Sequence, residues 1–365
     1  MKKKGVGMAC VLHPSGNKGA GDPSNAAIQL KPDGTLVLLV GAVDLGQGST
    51  TILRQFAADL MEVPIEDIFA SNFADDFAPL SLGSFASRVT LIDPHAVENA
   101  AEDLKKKIRE YASDLLEAHP DDLEYSEGKV FVKGAPDSSM TLAEVGGASV
   151  FGGGADPALL VGTGAWQPAR FHPHDDETGE MPAVGAISFG ACVVEVEVDT
   201  GTGVVDVTKM TQVWEVGKAV NPLLVRQQIT GGVQCGLGTA LIEDSYPYYP
   251  DAAWAPENFS DYAVPTFMDY PGEFKWGIEE VPHPMGVKGA KGFSEGSTNA
   301  PPPAIMAAIH DAIGVWIDQY PASPEVVLKA LEAKEKAGDP LSGLKDLAED
   351  IGEAVEDFVE GLGKS

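Results

Sequence analysis

Gly286-Val287-Lys288-Gly289-Ala290-Lys291-Gly292-Phe293-Ser294-Glu295, followed by a polar turn, Pro301 to Pro303 and the run Ala304 to Gly314, is the stretch around which the chain is read. Three glycines shortly before Glu295 describe a backbone that turns tightly or lets another group come very close. Pro303 suits the first turn of a helix, where a missing N–H leaves no bond unmade. Ile305, Ala308, Ile309, Ala312 and Ile313 recur at helical spacing and predict a buried face. A carboxylate carried by a glycine-rich loop to a helix start is a common way of presenting a general base. The same position also favours a carboxylate that merely complements the helix dipole. The local pattern leaves both open.

Two further loops lead into helices. Ala26 to Leu30, a turn at Pro32, Asp33 and Gly34, and Leu36 to Val40 form a hairpin pattern. The strand runs into Gly41 to Thr51, whose turn Leu45, Gly46, Gln47, Gly48 precedes a helix from Ser49 or Thr50, with Ile52, Leu53, Phe56, Ala57 and Leu60 on one face. Free N–H groups at such a helix start suit an anion, although a simple tight turn explains the glycines equally well. The lysine of a P-loop and the spacing of a dinucleotide fingerprint are both missing, which argues against ATP and NAD. After a short strand near Ile68, the irregular segment Asp75 to Thr90 ends in Gly83, Ser84, Phe85, Ala86, Ser87, Arg88, Val89, Thr90, ahead of a helical pattern from Ala96 to Leu116. Hydroxyls, an arginine and free amides suit phosphate; an ordinary cap with a surface arginine is the plainer alternative. Two such loops favour one shared ligand.

Elsewhere the pattern is structural. Leu123 to Val132 predicts a hairpin, Gly152 to Gly154 a flexible stretch, and Ile187 to Asp199 with Val204 to Val216 a long second hairpin. His172 to Asp176 imitates a metal site but reads more simply as a solvated acidic loop. Asn221 and Pro222 open a helix containing Gln227, Gln228, Gly231, Gly232, Gln234, Cys235, Gly236 and Gly238. So many glycines weaken a helix and point to close packing or to a ligand against the backbone. Ser323 and Pro324 begin a last core helix. Leu344, Leu347, Ile351, Val355, Phe358 and Leu362 mark an acidic amphipathic tail.

Composition bounds the possibilities. With 365 residues, 44% hydrophobic and 22% charged, the chain can bury a substantial core as one large or two ordinary domains. A net charge of -30 and a pI near 4.4 argue against nucleic acid and acidic membranes as partners. There is no bilayer-length apolar run, and Met1 followed by three lysines lacks the apolar centre of a signal peptide, so a cytoplasmic protein is expected. Cys10, Cys192 and Cys235 are isolated and offer no zinc, iron-sulfur or disulfide pattern.

Taken in order, these features resemble the molybdenum hydroxylases, the family of xanthine dehydrogenase, aldehyde oxidase and carbon monoxide dehydrogenase large subunits. Four matches carry the resemblance between about Lys4 and Leu331: the Gly46, Gln47, Gly48 turn; the Gly83 to Thr90 loop; Asn221, Pro222 through Gln228, Gly231 and Gly232; and Lys291, Gly292 through Glu295 with its proline-rich helix start. The implied fold is α+β, mixed sheets and helices in two intertwined subdomains. Residues 1–180 would carry the two phosphate-suited loops, 181–335 the Glu295 loop, and 336–365 the acidic helical tail.

The resemblance implies a molybdopterin, as its cytosine dinucleotide, with molybdenum bearing a sulfido or selenido ligand and no side chain bound directly to the metal. Leu45, Gly46, Gln47 and Gly48 with Ser84, Phe85, Ala86, Ser87 and Arg88 would hold it, Ala86 nearest the metal. Gln228 and Cys235 would line the site from their helix, and Phe293 and Ser294 would lead Glu295 into it. Glu295 would be the base that deprotonates the water-derived oxygen donor, while hydride leaves an electron-poor carbon. Met8 corresponds to an aromatic that sandwiches purines in eukaryotic members, and Cys235 stands where the family often has glutamine, with Gln234 one place early. The chain starts where the second half of the family's large subunit starts, so a second molybdopterin subunit would complete the site. Iron-sulfur and flavin (FAD) subunits would carry the electrons. Divided subunits of this kind resemble the medium molybdopterin subunit of nicotinate dehydrogenase, making hydroxylation of an N-heterocycle such as nicotinate the expected reaction. Oxidation of aldehydes or purines, and a non-enzymatic scaffold for the cofactor, are the alternatives.

Overall fold

The computed structural model describes residues 1–17, 21–71, 78–152, 156–168, 177–178, 185–244, 258–260 and 262–338. Gly153 and Gly154, the run His172 to Asp176 and the tail pattern from Leu344 to Leu362 lie outside these residues. Among the described residues the architecture is α+β, with two four-stranded sheets and one three-stranded sheet.

Strand β1 (Lys2–Ser15) crosses to the C-terminal half, whereas β2 (Ser24–Leu30) and β3 (Leu36–Val40) form the expected hairpin, Ala26 opposite Val40 and Leu30 opposite Leu36. Helix α1 (Ser49–Met61) returns the chain to β4 (Ile68–Ser71), which pairs parallel to β3. Helix α2 (Val89–Leu115) begins seven residues before the predicted start near Ala96, because Pro94 does not end it. Pro94 is the sixth helical residue and has no N–H for the Thr90 carbonyl, and the helix runs through it from an intact first turn. There, the Leu91 and Ile92 amides bond the Arg88 carbonyl, and their side chains are fully buried. The small sheet of β5 (Leu123–Ser126), β6 (Lys129–Val132) and β7 (Ala135–Thr141) precedes α3 (Leu142–Phe151), capped by Thr141 and Glu144. Strand β8 (Val161–Trp166) then pairs with β2, giving the order β4-β3-β2-β8.

In the C-terminal half, β9 (Ala186–Asp199) and β10 (Val205–Glu215) form the second long hairpin. With β11 (Glu273–Glu279) and β1 they make a sheet in the order β1-β9-β10-β11. Helices α4 (Pro222–Leu237), α5 (Ser294–Asn299), α6 (Pro301–Ile313) and α7 (Pro324–Gly338) complete this half. The supposed polar turn after Glu295 is therefore the short helix α5, and α6 starts at Pro301.

Both large sheets seat a helix by the same device. A Cβ at Gly5 or Gly7 of β1 would overlap the Ala308 or Ala304 carbonyl of α6; one at Gly162 or Gly164 of β8 would overlap Ala100 or Ala96 of α2. Bare strands under alanine-faced helices bring backbones together and bury apolar surface densely. Strand β1 joins the two halves. All fourteen of its residues pair with β9 and belong to the second sheet, so the two halves interlock.

Candidate active site

The Leu45–Gly48 turn, the Ser84–Thr90 loop, the N-terminal half of α4 and the Lys291–Glu295 segment enclose one cavity of about 230 Å³. Side-chain bonds tie its walls together. Ser84 Oγ donates to the Val43 carbonyl at 2.5 Å, Gln227 Nε2 to the Gly46 carbonyl at 3.0 Å, and Asn221 Nδ2 to Gln55 of α1 at 3.1 Å. The glycines of α4 are explained by packing: a Cβ at Gly232 would overlap Ser297, and one at Gly236 would crowd Pro301, whereas Gly231 faces open space.

Glu295 stands in the first turn of α5, half-exposed at 51%, and lines the cavity. Its carboxylate accepts the Ala86 N–H at 3.2 Å on Oε1 and the Ser87 hydroxyl at 3.1 Å on Oε2. Ala86 and Ser87 aim these donors from consecutive left-handed conformations, φ 48° and 46°. Residues other than glycine adopt that region at a cost of about 1–3 kcal/mol each, and such strain clusters at functional sites. Across the loop, the Gly292 carbonyl accepts from Ser15 Oγ at 2.5 Å and Ser188 Oγ at 3.0 Å. Lys291 is buried, its ammonium paired with Glu215 and bonded to the Ile187 carbonyl. Phe293 is 4% exposed and packs on Trp214, ring centroids 5.8 Å apart, so it anchors the Glu295 segment in the core.

Two expected anion donors are engaged elsewhere. The Arg88 guanidinium is fully buried, bonded to Asp22 at 2.6 Å, Asp93 at 3.2 Å and the Pro23 carbonyl at 2.9 Å. Arg88 borders the cavity, but its guanidinium is taken up by these buried partners beneath the Ala86–Ser87 loop. Burial pushes the Asp93 carboxyl up, with Arg88 pulling against it. At the other loop, the Asp44 carboxylate accepts the amides of Gly46, Gly48 and Thr50 at 2.9–3.2 Å, the groups expected to meet phosphate. Burial raises the Asp44 carboxyl, but these backbone bonds outweigh it and hold the group below its ordinary value of 3.8. Gln47 also turns inward, bonding the Leu45 amide and the Val43 carbonyl.

Residues 1–271 match the molybdopterin cofactor-binding domain family, about three quarters of the chain. The chain belongs to that molybdenum hydroxylase family. Among its relatives is the 6-hydroxypseudooxynicotine dehydrogenase complex subunit gamma of Paenarthrobacter nicotinovorans, 30% identical over 342 residues, covering 92% of this chain and 41% of that protein. The nicotine 6-hydroxylase large subunit of the same organism is 30% identical over 346 residues, covering 90% and 40%. The crystal structure of quinoline 2-oxidoreductase from Pseudomonas putida 86 superposes with a TM-score of 0.74 at 26% identity, covering 91% of this chain and 42% of that one. The chain thus spans about two fifths of the length of the curated relatives it matches.

A molybdopterin cofactor-binding domain needs polar groups to meet a pterin, and this largely apolar cavity carries a few. Among the described residues the Gln228 side-chain amide and the Thr90 and Ser294 hydroxyls line it without a protein hydrogen bond, beside a half-exposed carboxylate. Those donors and acceptors fit a flat, polar heterocycle. Two expected residues stand apart. Met8 is 64% exposed on β1, five residues from His13 and about 17 Å along the strand, and it is not in the cavity wall. Strand alternation puts it on the face opposite His13. Cys235 lies two helical turns beyond Gln228, about 10 Å along α4; it is exposed and outside the wall. His13, in contrast, carried no signal in the sequence, yet its Nε2 lies 2.8 Å from Ser87 Oγ and 3.5 Å from Glu295 Oε2.

Proposed function

We propose that the chain is the molybdopterin-binding subunit of a multi-subunit hydroxylase that inserts water-derived oxygen into an electron-poor carbon of an N-heterocycle such as nicotinate. The observation carrying this reading is the Glu295 carboxylate, held by the Ala86 amide and the Ser87 hydroxyl in the wall of a cavity where all four motifs meet. When bound, the molybdenum cofactor, read as the cytosine dinucleotide with a sulfido or selenido ligand, supplies the oxygen donor and accepts two electrons. Glu295 accepts the proton at a carboxylate oxygen, and its two donors fix the rotamer in which it does so. Gln228, Thr90 and Ser294 orient the pterin through their unpartnered polar atoms. Leu45 and Phe85, both exposed, give the mouth an apolar lip against which a flat ring packs as water is excluded.

Nicotine, 6-hydroxypseudooxynicotine and quinoline in the names of three relatives support a heterocycle, while other relatives are named for carbon monoxide and aldehydes. A cavity of about 230 Å³ is smaller than the ~300–1,000 Å³ of small-molecule sites, which supports a second molybdopterin subunit closing it. Iron-sulfur and flavin subunits are the proposed electron path. No helix among the described residues is long and apolar enough to cross a membrane, and cytoplasm is the proposed compartment.

Replacing Glu295 by Gln in the assembled complex tests the reading. Molybdenum content is expected to stay unchanged while turnover of the heterocycle falls at least about a hundredfold. Unchanged turnover would leave a cofactor scaffold as the function. In the same assay, an aldehyde or purine turned over in preference to every heterocycle would replace the substrate class.

A further inference from the structure

Among the described residues His13 is the one imidazole touching the Glu295 cluster, and its side chain is only 10% exposed. It enters from β1, which is otherwise occupied with pairing β9 and seating α6. Three contacts meet at one oxygen. Ser87 Oγ lies 3.1 Å from Glu295 Oε2, receives the Glu295 backbone N–H at 3.3 Å and lies 2.8 Å from His13 Nε2.

A serine hydroxyl owns a single hydrogen and two lone pairs. With Glu295 ionised, its Oε2 can only accept, so the Ser87 hydrogen points there. The lone pairs of Ser87 Oγ then take the two remaining contacts, one from the Glu295 N–H and one from a hydrogen on His13 Nε2. Were Nε2 bare, two lone pairs would face each other at 2.8 Å, or the hydroxyl would turn to the ring and abandon the carboxylate. The hydrogen-bond direction along His13, Ser87 and Glu295 is therefore set at the histidine.

We propose that His13 is a positioning residue: by donating from Nε2 it turns the Ser87 hydroxyl onto Glu295 and so holds the carboxylate in a single rotamer for proton uptake. This rests on the reading of Glu295 as the base. The packing leaves the ring little freedom, since a Cβ at Gly296 would come within 3.0 Å of the His13 Cβ. The chain Nε2–H to Oγ–H to carboxylate supports the base from the side, with Nε2 itself 3.5 Å from Glu295 Oε2.

The test uses two substitutions and two readouts. Gln at position 13 keeps an N–H donor near the place of Nε2, whereas Phe keeps the ring volume without it. Imidazole 15N NMR of the full chain is expected to show Nε2 of His13 protonated, and Ser87→Ala to weaken that preference. A bare Nε2 in the unsubstituted chain would overturn the proposal. In the assembled complex His13→Phe is expected to lower kcat about tenfold, the equivalent of one hydrogen bond, with KM unchanged. His13→Gln is expected to recover turnover to within about threefold of the unsubstituted complex, since the donor is retained. Equal loss in both variants would reduce His13 to a packing residue. Should His13→Phe fail to fold, the NMR signature and the Gln variant still decide. Retained turnover in Glu295→Gln would defeat the base itself, an outcome distinct from a bare Nε2.

Discussion

The carbonyl oxygen of Ser87 lies where the Cβ of any residue other than glycine at position 292 would stand. The two loops that build the base are thus in backbone contact, one presenting Glu295 and the other the hydroxyl and amide that hold it. Neither can retreat. The Gly292 carbonyl is pinned by Ser15 and Ser188 from behind, and Ser87 is pinned through its neighbour Arg88. Gly292→Ala is expected to force the loops apart by more than a relaxed site tolerates, lowering stability by about 1–3 kcal/mol as overpacking does. Turnover in the assembled complex should fall further than stability alone explains. Urea unfolding of the chain and assay of the complex measure the two effects separately.

Arg88 sits between two buried carboxylates, each of which has a second donor: Asn17 N–H for Asp22 and Ser24 Oγ for Asp93. Removing the cation leaves two negative charges out of water beside one another. Arg88→Met is expected to destabilise the chain by roughly 3–5 kcal/mol, the range for breaking a buried pair by deleting one partner. A change under about 1 kcal/mol in denaturant midpoint, converted with the measured slope, would show that the network is not holding the loop.

Local pattern made much of this fold legible. The β2–β3 hairpin, the start of α1, the Asn221 cap of α4 and the apolar face of α6 all follow from periodicity and turn chemistry within short windows. What the pattern could not show depends on partners distant in sequence. Arg88 reads as a surface phosphate ligand until Asp22, sixty-six residues earlier, is placed beside it. The amides after Gly46 read as free until the neighbouring Asp44 folds back over them. His13 and Glu295 lie at opposite ends of the chain and meet only because β1 crosses into the second sheet. The Gly5 and Gly7 pair in β1 was a visible sign that something would pack closely there, but not of what.

The three cysteines should differ in reactivity. Cys192 is buried in β9, and burial pushes its thiol up to about 12, whereas Cys10 and Cys235 are exposed. Since the thiolate is the nucleophile, a disulfide reagent at neutral pH is expected to label two thiols in the folded chain and the third only on unfolding. Mass spectrometry of the labelled peptides identifies which. Fast labelling of Cys192 without denaturant would mean that the packing of β9 against α6 opens readily.

Asp44 gives the chain a local acid sensitivity at the Gly46–Gly48 turn. Burial works against its charge, yet the amides of Gly46, Thr50 and Gly48 win and keep the folded carboxyl below 3.8, its value in an unfolded chain. The folded form therefore binds a proton less readily than the unfolded one. Its contribution to stability is complete above 3.8 and is lost as pH falls through the lower folded value. The amide resonances of these three residues are expected to stay constant from about pH 8 down to about pH 5 and to move together only below 3.8. In Asp44→Asn the amide oxygen accepts more weakly than a carboxylate, so the same resonances should already be displaced at neutral pH. Inorganic pyrophosphate separates this arrangement from an open anion site. It should leave the three amides unmoved while Asp44 is charged, because a second anion would have to displace the first. Shifts of all three at neutral pH would restore the turn as a phosphate site and make Asp44 a movable gate.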